Sequence, residues 1–326
     1  MSSGLREYEY ESSLADCISA LVAEKRALGY VYNNEAMILK WLDSYWLEHG
    51  YPDRLEFDSL SGWISKTDAE GNKSLSNRIV AVRQLAMYMR SVGKEAVVPE
   101  NNVTVEKPMV HVLSSAEIRE TFERLDGLGT HNDPASRVAY DSSRVALRLI
   151  LGIGSRAGET CALRTGSLDQ GNMSIDILDA KNDRQRTVYL TEDLCGMLAN
   201  HRDHVTGLMG SESEWLFPGF APGMPINVHM LERWFNKAWA RTSFAGKVAK
   251  KPTVHSLRHT YVNLRIRLWE EEGTDVNEML PYLTRHLGHE TLDETYYYYQ
   301  KILESLRQVR AKDGVGGRVI PSEYGI

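Results

Sequence analysis

The chain has 326 residues, 42 % hydrophobic and 25 % charged, which suits two folded domains because single cores rarely grow past roughly 250 to 300 residues. Cysteine occurs only at Cys17, Cys161 and Cys195, a scatter that excludes a disulfide-stapled module and zinc-ligand spacing and implies a reducing compartment. The formal charge is −6, whereas nucleic-acid binders are often basic overall, but the distribution matters more than the sum. Nine Lys or Arg and no Asp or Glu lie between Arg233 and Leu268; a charge run is by default a solvated face, and this segregation suggests an anion-facing surface.

Met1 to Ser13 is acidic and polar, without the apolar stretch of a signal peptide. The most apolar stretch, Val145 to Ile153, is short and broken by Arg148, so no membrane partner is expected and the chain is placed in the cytoplasm.

In chain order, Leu14, Cys17, Ile18, Leu21 and Val22 recur at helical spacing and stop at Gly29. Met37, Trp41, Leu42 and Tyr45 form a second stripe ending at Gly50, and Ser59 to Ser65 suits a short third helix. Leu75, Ile79, Val82, Leu85, Ala86 and Met89 line one face of a fourth, which turns Arg78, Arg83 and Arg90 elsewhere. A helix displaying those three arginines suits a DNA groove or phosphates, although many exposed helices carry the same residues. Periodicity disappears from Glu95 to Val112, where Pro99 and Pro108 interrupt the chain. The expected organisation is a helical domain over 1–105, a linker over 106–112, a second domain over 113–310 and a tail over 311–326.

Ser114 and Glu117 make a capping box that opens the second domain. Helices are expected from Ser143 to Leu151, ended by Gly152 and Gly154, and from Glu159 to Leu163. The period then changes: Ser174 to Leu178 and Thr187 to Leu190 read as strands of a hairpin with a charged tip. Helices resume at Thr191 to Val205, Val228 to Arg241 and Ser256 to Trp269. Gly152, Gly154 and Gly158 approach a dinucleotide fingerprint, but the last spacing is one residue too long and no strand precedes it.

Five short segments concentrate groups suited to a phosphate. Arg156 stands at a predicted helix start, with pairing to Glu159 as the plainer reading. The hairpin tip carries Lys181 and Arg184. His255 and Arg258, three apart, share a helical face. Leu287, Gly288 and His289 precede the run Tyr296 to Tyr299, whose helix is expected to start at a capping box made by Thr291 and Glu294. Lys250 and Lys251, in the basic run, are further candidate DNA-binding residues.

In this order the segments resemble the tyrosine recombinase, or phage integrase, family. The family pattern is an arginine, a glutamate three later and a leucine four beyond, here Arg156, Glu159 and Leu163. A hairpin lysine follows, here Lys181. His-x-x-Arg comes next, here His255 and Arg258, and then Leu-Gly-His with a tyrosine nine residues on, here Leu287, Gly288, His289 and Tyr298. Five blocks in order with matching spacing are specific, and they cover roughly residues 113–310.

The resemblance implies a mainly α, two-domain protein: a helical core-binding domain that contacts DNA and an α+β catalytic domain with a small antiparallel sheet. It implies that the Tyr298 hydroxyl attacks a DNA phosphodiester, making a 3′-phosphotyrosyl bond and freeing a 5′-hydroxyl. Arg156 and Arg258 would grip the nonbridging oxygens, and His255 and His289 would donate hydrogen bonds or shuttle protons. Lys181 would protonate the departing 5′ oxygen, a task for which Arg184 has too high a pKa. Tyr297 and Tyr299 point about 100° away from Tyr298 on a helix.

One phosphoester is exchanged for another, so neither ATP nor metal is expected, and no cofactor is implied. The implied partners are a double-stranded DNA recombination site, a homo-tetramer or mixed recombinase assembly on it, and an accessory directionality protein. The tail, with Val319, Ile320, Tyr324 and Ile326, suits either docking on a neighbouring protomer or fraying. The competing readings are a type IB topoisomerase-like enzyme, which reseals the original strand, and a non-catalytic DNA-binding regulator.

Overall fold

A computed structural model of the chain describes residues 5–105, 110–129, 133–179 and 184–296. The chain divides into two compact units, 1–108 and 109–326. Both are built mainly of helices, and a three-stranded antiparallel sheet lies in the second.

The first unit contains α1 (Ala15–Ala27), α2 (Asn33–His49), α3 (Phe57–Ile64) and α4 (Asn72–Ser91). Their apolar stripes meet in one core, with Ile18, Leu21, Leu39, Leu42, Trp46, Leu60, Val82, Leu85 and Met89 all buried. Gly50, in the left-handed region at φ +63°, ends α2, as the sequence pattern suggests. Asp43 on α2 is fully buried and accepts backbone N–H groups of Glu11 at 3.0 Å and Ser12 at 2.9 Å. Burial pushes its carboxyl pKa up, but hydrogen bonds from Ser12, Glu11 and Lys40 outweigh that and leave it lowered. Glu11 and Ser12 are thereby tied to α2.

The three arginines of α4 point away from its apolar stripe, as expected, yet each is built into the unit itself. Arg78 pairs with Glu70 at 2.6 Å, donates to the Ser65 carbonyl and covers the Trp63 ring. Arg83 donates to the carbonyl of Pro99, and Arg90 to that of Ala96 at 2.7 Å. A guanidinium has five donors and seeks nearby carbonyls where the chain folds back; Ser65 supplies one to Arg78 and the returning segment 96–99 supplies those for Arg83 and Arg90. The structure therefore gives these three residues an internal role that helical spacing alone does not reveal.

The second unit opens with α5 (Ser115–Asp126), whose capping box is formed: Ser114 Oγ accepts the Glu117 N–H, and Glu117 accepts the Ser114 N–H at 2.7 Å. Then come α6 (Pro134–Ile153), α7 (Ala157–Cys161), β1 (Leu168–Asp169), β2 (Ser174–Asp179) and β3 (Arg184–Tyr189). After the sheet follow α8 (Glu192–Met209), α9 (Val228–Trp239), α10 (Val254–Glu271) and α11 (Val276–Leu287). The sheet order is β1-β2-β3, with Ile175 opposite Val188 and Ile177 opposite Arg186. Leu147, Ile150, Ile175, Leu198, Leu231, Phe235 and Leu257 share the main core. Val262, Ile266 and Trp269 of α10 pack with Leu280, Leu283 and Leu287 of α11 in a smaller one.

Three features depart from the sequence expectation. α6 begins at Pro134, capped by Asp133, which accepts the Ser136 N–H at 2.8 Å; Ser143 is instead an interior residue whose hydroxyl donates to the Ala139 carbonyl. The helix also passes through Gly152 and stops only at Gly154, at φ +68°. Gly152 is a packing residue, because a Cβ there would lie 2.8 Å from Leu194 of α8. The strand β1 and the helix α11 add to the expected elements. No helix among the described residues is long and apolar enough to cross a membrane.

Candidate phosphate-binding site

The site is built where α7, α10 and the end of α11 meet. Arg156 is the N-cap residue of α7, and its backbone N–H donates to Glu159 at 2.9 Å. Its guanidinium donates to the other Glu159 oxygen at 2.8 Å and to the Gly288 carbonyl at 3.1 Å. The plainer reading of Arg156, an intrahelical ion pair, is thus realised, but the same side chain also reaches a carbonyl 132 residues away.

Arg258 sits one turn into α10 and is only 1 % exposed. A buried cation needs dedicated partners, and Arg258 donates to the carbonyls of Gly154 at 2.8 Å and Leu287 at 3.0 Å and contacts His289 Nε2 at 2.7 Å. Both carbonyls lie at helix C-termini, where unpaired C=O groups and the negative end of the dipole favour a cation.

His289 follows the left-handed Gly288, and only 3 % of its side chain is exposed. Desolvation, then the charges of Arg258, Arg156 and Arg186, lower its pKa to about 3, with Glu159 opposing. The imidazole is therefore neutral in the free protein. His255, three residues before Arg258, is open to solvent on α10 and stands edge-on to His259 at 4.6 Å. Crowding by the protein, then Arg258 and Arg156, lower its pKa as well. Arg156, His255, Arg258 and His289 thus occupy one electrostatic neighbourhood. Lys181 and Tyr298, the other two members of the expected set, lie outside the described residues, as do Arg184's side chain and the C-terminal tail.

Arg186 on β3 joins this cluster although spacing does not single it out. It donates to Glu159 at 2.7 and 3.3 Å and to the His286 carbonyl at 2.9 Å. Its signal lies in strand alternation: residue 186 falls on the same face as the buried Val188, an apolar face where an arginine needs a reason to be. Gly288 makes room for it, since a Cβ there would stand 2.6 Å from Arg186 Nη1. Glu159, between two arginines, has its pKa raised by burial but lowered further by Arg186 and Arg156, with a net fall.

Tyr261 and His286 were likewise not expected: the Tyr261 hydroxyl lies 2.9 Å from His286 Nε2, which also meets the Ile153 carbonyl at 2.9 Å. Of the basic run 233–268, Lys237, Lys247, Lys250 and Lys251 are exposed, while Arg258 alone turns into the site described here.

The helical two-unit fold with its small sheet carries a cluster of arginines and histidines around a glycine-turned helix end. The chain belongs to the phage integrase family, the tyrosine recombinases, whose pattern it matches over residues 130–304. It is 30 % identical over 145 residues to y4qK of Sinorhizobium fredii, a protein assigned by name to the integrase/recombinases; the match covers 44 % of this chain and 42 % of that relative. The chain thus spans less than half the length of that relative. Its fold is similar to that of XerH site-specific recombinase in a post-cleavage complex with palindromic difH substrate, with TM-score 0.62, 17 % identity, and 95 % and 91 % of the two chains covered. It is also similar to lambda integrase, solved as a tetramer on a Holliday junction, with TM-score 0.56, 15 % identity, and 88 % and 76 % covered.

Proposed function

We propose that the protein is a site-specific DNA recombinase, an integrase or mobile-element transposase, that cleaves and rejoins strands through a 3′-phosphotyrosyl intermediate. The observation that carries this reading is the convergence of Arg156, Arg258, His255 and His289 at helix ends. Two fixed guanidiniums suit the nonbridging oxygens of a phosphodiester, where negative charge grows as the phosphorus is attacked, and two imidazoles beside them suit hydrogen bonding or proton shuttling. A donor so placed is worth about 3 to 4 kcal/mol in a transition state of this kind.

In this reaction Tyr298 is the nucleophile and Lys181 the proton donor to the departing 5′ oxygen. The phosphotyrosyl bond conserves the energy of the bond it replaces, so a different 5′-hydroxyl reseals it without ATP. The substrate is a double-stranded DNA recombination site, bound by a tetramer of recombinase subunits, with the first unit contacting the DNA. Lys250 and Lys251 supply charge toward the phosphates.

The test is a duplex carrying the native element end, nicked near the scissile phosphate so that the short product diffuses away. Wild-type protein should accumulate a covalent DNA adduct, and Tyr298→Phe should bind the duplex without forming it. An adduct that persists in Tyr298→Phe overturns the assignment of the nucleophile. An adduct that only ever reseals the original strand, with no transfer to a second duplex, identifies a topoisomerase instead.

A further inference from the structure

A buried chain of hydroxyls leads away from His289. Its Nδ1 lies 2.8 Å from the hydroxyl of Thr295, which is fully buried. That hydroxyl lies 2.8 Å from the hydroxyl of Thr284 on α11. The Thr284 hydroxyl in turn lies 2.7 Å from the backbone carbonyl of Leu280. On the other side of the ring, Nε2 faces Arg258 at 2.7 Å.

The Arg258 end fixes the direction of this chain. Arg258, which has donors only, lies 2.7 Å from Nε2 and requires a lone pair there, so the proton of the neutral ring is on Nδ1 and is donated to the Thr295 hydroxyl. The Thr284 hydroxyl is placed to donate to Thr295 or to the Leu280 carbonyl, and with either choice Thr295 keeps a lone pair for the ring. The Glu294 carboxylate, 3.8 Å from Nε2, lies beyond hydrogen-bond range. The geometry gives a neutral ring with Nδ1–H and a bare Nε2.

We propose that Thr295, backed by Thr284, is a positioning residue that holds His289 in the Nδ1–H tautomer and aims Nε2 at the reacting group. The inference rests on the proposed recombinase reading for what Nε2 meets, but not for the tautomer itself. A proton taken up at Nε2 produces an imidazolium whose Nδ1–H still donates to Thr295, and the same proton leaves again from Nε2. No hydroxyl in the chain has to reverse. The arrangement serves a histidine as a carbonyl or carboxylate behind the ring does elsewhere, by choosing which nitrogen works. It also gives α11 a function beyond packing: Thr284 on that helix holds the Thr295 hydroxyl against the ring of a residue beyond its C-terminus.

The experiment is nitrogen-15 NMR of histidine-labelled full-length protein, with His289→Gln used to assign the His289 ring signals. In wild type at neutral pH the His289 ring should show a protonated Nδ1 and an unprotonated Nε2. Thr295→Val, nearly the same shape without the hydroxyl, should shift the ring toward the Nε2–H tautomer or a mixture. Thr295→Ser should restore the wild-type pattern. In the adduct assay Thr295→Val should slow covalent trapping about 10- to 100-fold, the usual loss when a working histidine loses its orienting partner, and Thr295→Ser should recover most of it. Thr284→Val provides a second variant, outside the segment that carries Thr295, and should produce the same tautomer change in smaller degree.

A wild-type Nε2–H tautomer would overturn the proposal, and so would a Thr295→Val protein that is folded yet keeps the wild-type ring pattern. If the tautomer behaves as stated while no variant or wild type ever forms an adduct, the positioning role stands and the recombinase reading falls.

Discussion

Glu159 and Arg186 lie 27 residues apart, on α7 and β3, and meet as a two-pronged ion pair at 2.7 and 3.3 Å with 6 % and 12 % of their side chains exposed. The pair ties the hairpin to the helix whose N-cap is Arg156. Through the His286 carbonyl, Arg186 ties the same strand to the end of α11.

Removing the carboxylate leaves Arg186 buried without its counter-ion, at a typical cost of about 3 to 5 kcal/mol, whereas removing Arg186 leaves Glu159 with Arg156 still beside it. Glu159→Gln should lower the free energy of unfolding read from urea titration by an amount in that range, and Arg186→Met by less. The acid limb tests the carboxylate separately. The folded pKa of Glu159 is below its ordinary value, so its contribution is present above the unfolded carboxylate pKa and disappears as pH falls through the folded one. Glu159→Gln should therefore show a flatter dependence of stability on pH below about 4 than wild type does. Parallel acid limbs would show that Glu159 gains nothing from its two arginines.

Histidines shape the next pH interval. Burial lowers His201 to about 4 and His259 to about 3, and His289 sits at about 3. Each has a folded pKa beneath the unfolded value near 6.5. The unfolded chain then binds protons that the folded one refuses, so stability is greatest above about pH 6.5 and falls as the medium is acidified toward the folded pKa values. Each such histidine contributes about 1.4 kcal/mol per pH unit over that interval. Urea titrations at pH 7.5, 6 and 5 should show a progressive loss, and His201→Phe should remove part of it because His201 Nε2 has no hydrogen-bond partner among the described residues. Equal stability at pH 7.5 and 5 would contradict the burial of these rings.

Lys250 and Lys251 stand exposed beyond α9, in the loop that leads into α10. If they approach phosphates, each releases close to one counterion on binding. The double variant Lys250→Ala, Lys251→Ala should therefore bind duplex DNA more weakly at every sequence and reduce the slope of log affinity against log salt by about 2. Fluorescence anisotropy across a salt series measures that slope. An unchanged slope would confine the two lysines to solvent.

How much of this is legible in the sequence depends on the range of the interaction that fixes it. α4 and α9 follow from apolar stripes, and α5 from a capping box within four residues, all local signals. α11 does not, because Pro281 interrupts its stripe and removes a backbone donor. The helix forms nonetheless because Leu280, Leu283 and Leu287 bury against α10. The identities of Arg156, His255, Arg258 and His289 stand in spaced motifs, but the carbonyls that accept hydrogen bonds from the two arginines belong to residues up to 132 positions away. Arg83 and Arg90 of α4 teach the converse lesson: a basic helix face says where the side chains start, and the returning segment 96–99 decides where they end.

Arg258 separates charge from geometry most cleanly. Its guanidinium bridges the carbonyls of Gly154 and Leu287 while touching His289, so two helix ends converge on one fork. Arg258→Lys retains the charge, but a single ammonium on a flexible stem cannot satisfy both carbonyls and present a flat edge to an oxyanion. One lost hydrogen bond to a charged group costs about 1.5 to 3 kcal/mol, so the variant should unfold at correspondingly lower urea. The adduct assay, run on protein verified as folded, should show a fall of about 100-fold or more, the usual consequence of losing one fixed donor to a developing anion. A lysine variant with lowered stability but wild-type trapping would mean that Arg258 only holds the helix ends together and that the phosphate is gripped by other residues.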